Sequence, residues 1–115
     1  MNIEKIKESI QEFSTQRNWE EFHNPKNLSM ALSVEASELL EIFQWLSLEQ
    51  SANLSKENHE HAKQEIADVA IYLIRICMKL DIDLEEAINE KMILNAIKYP
   101  LQDKNGKNIE YGKKS

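Results

Sequence analysis

Two acidic pairs carry the chemical interest of this 115-residue chain: Glu35 with Glu38, and Glu65 with Asp68, each three residues apart in a mostly apolar segment. On a helix, residues at that spacing have Cβ atoms about 5–6 Å apart, and packed helices lie about 8–10 Å axis to axis. Both pairs can therefore reach a common point. Four carboxylates meeting there repel one another unless a cation sits among them, and oxygen-only ligands favour a hard ion such as Mg²⁺ or Mn²⁺. Zinc fits poorly, because Cys77 is the only cysteine and His59-Glu60-His61 lacks H-E-x-x-H spacing. A di-iron carboxylate bundle needs E-x-x-H, and neither pair supplies the histidine.

The elements that hold these pairs read as helices. Ile3, Ile6, Ile10 and Phe13 form the stripe of a first amphipathic helix, followed by a loop over 16–27 that contains Trp19, Phe22, His23 and Asn24-Pro25. A second helix is predicted from about Leu28 to Leu46, with an apolar arc of Leu28, Ala31, Leu32, Leu39, Ile42, Phe43 and Leu46. Glu35 lies in the middle of that arc and Glu38 at its edge beside Trp45. A bare carboxylate there costs several kcal/mol, about the price of an unpaired buried charge, so it must be neutralised, paired or metal-bound. A surface charge pair is the plain alternative for E-x-x-E, and the arc counts against it.

A polar connector is expected over 47–58, then a third helix to about Leu80 that is apolar over most of its circumference. Its polar remainder is the narrow stripe Glu65, Asp68, Tyr72 and Arg75, which is expected to face a cleft. Asp83 and Glu86 predict a capping box for a fourth helix ending at Tyr99-Pro100. Residues 1–100 thus read as one all-α domain and 101–115 as a polar, mobile or docking tail. A helix so apolar cannot hide its surface within four short helices, so a homodimer or homotetramer is expected.

Composition removes other classes. The two glycines and two prolines all lie near the chain ends, which excludes a glycine-rich phosphate loop or dinucleotide fingerprint and argues against a sheet protein. The net charge of −6 and the lack of a basic block argue against a nucleic acid polymer or an anionic membrane as partner. One cysteine excludes an internal disulfide, and no apolar leader or spanning segment is seen, so a cytoplasmic protein is expected.

At the same residues the chain resembles the MazG-like nucleoside triphosphate pyrophosphohydrolases, most closely their small dCTP pyrophosphatase branch. The resemblance is carried by RNWEEFHNPKNL (17–28), EASELLEIFQW (35–45), EIADVAIYLI (65–74), DIDLEEAINEKM (81–92) and NAIKYP (95–100). It implies an all-α four-helix MazG-like bundle assembling as a homodimer or dimer of dimers. The implied reaction is Mg²⁺-dependent hydrolysis of a (deoxy)nucleoside triphosphate, dCTP or a modified dCTP, to the monophosphate and pyrophosphate. Glu35, Glu38, Glu65 and Asp68 would hold the metal, Lys91 and Asn95 would contact phosphates and sugar, and Tyr72 would line the site. Trp19, His23 and Trp45 would form the base pocket. Where the family commonly closes on R-Y-P this chain has Lys98-Tyr99-Pro100, which keeps the charge of a phosphate contact at Lys98 but loses a bidentate fork.

The chemistry is consistent with that reading. Lys91, Asn95 and Lys98 share one helix face and supply local positive charge, and a triphosphate arrives with its own Mg²⁺. A water polarised by Glu38 or Glu41 would attack the α-phosphorus and expel pyrophosphate. Blander roles stay open at several positions: Trp19 and Trp45 as core anchors, His23 as a structural histidine and Tyr72 as a hydroxyl needing a partner. His59 and His61 are expected to be solvated, Cys77 to be an inert small hydrophobe, and Lys113-Lys114 to be a solvated tail. The competing functions are the same reaction on another base, clearance of non-canonical nucleotides, and a divalent-ion-binding helical module without turnover.

Overall fold

The computed structural model describes residues 1–110, and every regular element in them is helical. The first helix, α1 (Ile3–Gln16), starts at Asn2, whose side chain accepts from the Lys5 N–H at 3.1 Å. The second, α2 (Pro25–Phe43), begins three residues before the predicted Leu28 and stops short of Leu46. Asn24-Pro25 is therefore a start signal inside the expected loop. The Asn24 side chain accepts from the Asn27 N–H at 2.9 Å, and proline is at home in a first turn, where its N–H has no partner to lose.

The expected connector over 47–58 contains a short helix, α3 (Leu48–Ala52), so the described chain has five helices where four are predicted. Ser47 and Gln50 form the full reciprocal capping box, with the Gln50 N–H donating to Ser47 Oγ and the Ser47 N–H donating to Gln50 Oε1. The long helix α4 (Lys56–Leu80) follows, capped by Ser55 and closed by Asp81 in the left-handed region at φ 55°. Then comes α5 (Leu84–Lys98), where the Asp83 side chain accepts from the Glu86 N–H at 3.0 Å.

The chain divides into two compact units, Met1–Asp81 and Ile82 onward. In the first, α4 packs against α2 and α1. Leu28, Ala62, Ile74 and Cys77 are its buried apolar side chains, and the lone cysteine sits inside as a small hydrophobe. The whole predicted arc of α2, from Leu28 to Leu46, is buried or half-buried, and Glu35 and Glu38 are half-buried with it. On α4 polar side chains are turned inward along with apolar ones. The polar stripe Glu65, Asp68, Tyr72 and Arg75 is turned inward, while Ile66 (55% exposed), Leu73 and Leu80 form an outward apolar row.

In the second unit α5 leaves Ile88, Met92, Ile93, Leu94 and Ile97 exposed. The described part of the expected tail is ordered by a turn: Gln102 and Asn108 form an antiparallel bridge, and the Asp103 carboxylate accepts from the N–H groups of Asn105 and Lys107. Gly106 at φ 81° supplies the left-handed residue that this turn needs. Lys113-Lys114 lies outside the described residues. Among those residues no helix is long and apolar enough to cross a membrane.

Two substitutions gauge what holds this frame. Leu28→Ala empties a site that is 1% exposed and is expected to cost about 3 kcal/mol. Ser55→Ala removes the cap of α4 and is expected to cost about 1 kcal/mol. Urea denaturation of both variants checks the ranking, and an equal loss in the two would contradict it.

Candidate metal centre and adjoining cleft

Glu35 and Glu38 on α2 and Glu65 on α4 each offer a carboxylate oxygen, and these three atoms lie within 4.8 Å of one another. The side chain of Glu65 is only 12% exposed. Glu35 Oε2 and Glu65 Oε2 are buried without any hydrogen-bond partner. Buried carboxylate oxygens left bare in this way are rare, because each loses its hydration with nothing in return. Burial, followed by the Glu38 carboxylate and the Asp68 charge, pushes the Glu35 carboxyl up to about 7. Burial and the neighbouring Glu38 carboxylate also push Glu65 upward. Metal-free, the cluster must hold protons it would not hold in water. A hard divalent cation would satisfy the bare oxygens and remove the repulsion, and the all-oxygen donor set suits Mg²⁺ or Mn²⁺.

Asp68 stands outside this triplet, yet its charge raises both Glu35 and Glu65. It also lines a cleft of about 430 Å³ beside the cluster. Ile10, Phe13 and Trp19 give that cleft an apolar wall, and Tyr72 and His23 give it polar edges. Burial first, then the charges of Glu35 and Asp68, raise the Tyr72 hydroxyl, which therefore remains a donor at neutral pH. Trp19 meets Phe13 edge-on at 5.5 Å between centroids and sits 5.5 Å from the His23 ring. The site is thus a carboxylate cluster next to an aromatic slot, bridged by Asp68 and Tyr72.

The other predicted residues fall differently. Trp45 follows the end of α2, is 87% exposed and is not part of the cleft lining. Of the two water-orienting candidates, Glu41 is exposed and outside the carboxylate triplet and Glu38 is within it. Lys91, Asn95 and Lys98 lie on α5 in the second unit, with both lysines exposed and Asn95 half-buried.

Two features escape the sequence reading. His61, expected to be merely solvated, places Nε2 3.5 Å from Glu65 Oε1 one turn along α4. That contact follows from i, i+4 spacing and was open to prediction. Arg75 lines the cleft, as its place in the stripe predicts, but it is also 1% exposed and bound to Glu20, Gln11 and His23, which the sequence did not indicate. Its partners lie 52 to 64 residues away, where no local pattern points.

A model of the MazG-like family matches residues 30–113. Relatives named dCTP pyrophosphatase 1 from Rattus norvegicus and Homo sapiens are 36% and 37% identical, over 95% and 85% of this chain. The chain spans 65% and 59% of the length of those relatives. Among solved structures, a pyrophosphatase from Archaeoglobus fulgidus DSM 4304 is similar with a TM-score of 0.82. The match is 39% identical and covers 87% of this chain and 94% of that one.

Glu35 fixes a pH dependence for the metal-free protein. Its folded pKa of about 7 lies above the ordinary value of 4.5, so the folded state holds its proton more tightly than the unfolded one. The stability gained is complete below 4.5 and lost as pH rises through about 7. In EDTA the melting temperature is expected to fall across that window, and Glu35→Gln to flatten the fall. Added Mg²⁺ should restore the alkaline loss in the parent chain and not in the variant. A metal-free melting temperature that climbs through the same window would contradict the assignment.

Proposed function

The chain belongs to the MazG-like family, and on that footing we propose that it hydrolyses a nucleoside triphosphate to the monophosphate and pyrophosphate. The substrate is dCTP or a modified dCTP, and the role is removal of unwanted nucleotides from the pool. The observation that carries this reading is the pair of partnerless buried carboxylate oxygens, on Glu35 and Glu65, beside a cleft lined by aromatic and apolar side chains. The relatives' names support the cytosine base.

In this proposal Glu35, Glu38 and Glu65 hold Mg²⁺, with Asp68 completing the acidic set from the cleft side. The ion, when bound, neutralises phosphate charge and lowers the pKa of water. Glu38 orients the attacking water and accepts its proton on a carboxylate oxygen. Trp19 stacks on the base, His23 contacts its edge, and Tyr72 donates its hydroxyl toward the substrate. Trp45 belongs to the base pocket by resemblance to the family, and Lys91 and Asn95 take phosphate and sugar by the same resemblance. Lys98 supplies charge without the fork of an arginine.

The proposal includes a homodimer or dimer of dimers. Ile66, Leu73 and Leu80 on α4, with Met30 and Val34 on α2, are exposed apolar side chains that a second copy would cover. Leu73→Glu is expected to shift the species seen by light scattering towards the monomer, and an unchanged mass would count against this face.

Pyrophosphate release across canonical and modified triphosphates, with and without Mg²⁺, tests the reaction. Turnover is expected to be greatest on a cytosine deoxynucleotide, to vanish in EDTA, and to fall by about a thousandfold in Glu38→Gln, the scale of a lost catalytic base with its charge. Metal binding without turnover on any triphosphate would favour an ion-binding module instead.

A further inference from the structure

The loop 17–24 carries Trp19 and His23 into the cleft but has little core of its own: Trp19 is 39% and Phe22 59% exposed. Its backbone ties reach only the end of α1 and the start of α2, through the Trp19 N–H to the Ser14 carbonyl and the Asn27 side-chain amide to the Phe22 carbonyl. Two cations of α4 reach the loop, the Arg75 guanidinium and the Lys79 ammonium. Arg75 Nη1 donates to Gln11 Oε1 at 2.7 Å, Nη2 to Glu20 Oε1, and Nε to His23 Nδ1 at 3.4 Å. Gln11 Nε2 donates in turn to Glu20 Oε1 at 2.6 Å, and Lys79 Nζ holds the other Glu20 oxygen at 2.6 Å.

We propose that Arg75 is a positioning residue of the cleft, clamping the Trp19–His23 loop to α4 and holding His23 as the tautomer protonated on Nε2. A guanidinium has donors only, so the ring nitrogen that faces it must be the acceptor. The remaining proton lies on Nε2, and the ring lines the cleft as a neutral donor suited to a carbonyl or ring-nitrogen acceptor on a planar heterocycle. Burial and then the Arg75 charge hold the His23 imidazole below its ordinary range, in keeping with a neutral ring. Glu20, held at about 2 by Lys79, Gln11 and Arg75, stays ionised and balances the buried guanidinium. A buried ion pair is a poor stabiliser compared with apolar packing. The value of this one lies in three directed hydrogen bonds, one to α1 and two to the loop, which fix the angle of the His23 ring as well as the position of Glu20. Lysine at 75 keeps the charge and loses that fork.

The consequence for ligand affinity rests on the nucleotide reading above, whereas the histidine tautomer does not. Long-range ¹H–¹⁵N spectra of histidine-labelled, metal-free protein read the tautomer directly. The parent chain is expected to show His23 protonated on Nε2 alone, and Arg75→Lys to show a mixture while retaining its helical circular dichroism. Calorimetric titration with dCMP should show about tenfold weaker binding in Arg75→Lys, the loss of about one oriented contact. Should Arg75→Lys fail to fold, Glu20→Gln, altered at the half-exposed end of the clamp, is expected to shift both readouts in the same direction. A His23 signature that is unchanged in a folded variant overturns the proposal, as does undiminished dCMP affinity. If the parent chain binds no dCMP, the nucleotide reading fails and the histidine spectra alone decide the role of Arg75.

Discussion

Bringing carboxylates together away from water is the constraint around which this molecule is arranged. Glu35, Glu38 and Glu65 bring carboxylate oxygens within 4.8 Å of one another, and two of their oxygens have nothing to bond. Such an arrangement opposes folding through both desolvation and repulsion. It persists because Leu28, Ala62, Ile74 and Cys77 anchor the α2–α4 contact independently of it. The frame holds the cluster together, and a bound cation would relieve it.

The same helix solves the opposite problem a few turns later. Glu65, Asp68, Tyr72 and Arg75 share one stripe of α4, so an acidic end and a cationic end face inward from a single element. The compensating charge at the acidic end is incomplete within the described residues: His61 Nε2 lies 3.5 Å from Glu65 Oε1, and Glu35 Oε2 and Glu65 Oε2 keep no partner. At the cationic end that charge comes from within, since Glu20 is exposed enough to remain hydrated and close enough to pair. In the proposed reading one end would receive a ligand and the other would hold the wall against which that ligand lies.

Much of this was legible from residue order. Glu35 in the middle of an apolar arc announced its own burial, because a helical period fixes which side chains share a face. The inward stripe of α4 was visible for the same reason. The short α3 was missed because five residues give no period to detect, although Ser47 and Gln50 carry a complete cap. The clamp of Arg75 was missed for a deeper reason: pairing over more than fifty residues leaves no local trace, so a stripe that turns Arg75 toward a cleft gives no sign of Gln11, Glu20 or His23 as its partners. Trp45 shows the reverse limit, since an aromatic beside the acidic segment in sequence ends up outside the cleft of its own chain.

The length of α4 gives it the character of a ruler. Ten residues separate Glu65 from Arg75, which on a continuous helix is about 15 Å of fixed rise. One inserted or deleted residue between them would rotate one end by about 100° relative to the other, sending either the acid or the guanidinium to the outer surface. Side chains along this stretch can vary in kind, but its count of residues is as much a part of the site as any carboxylate.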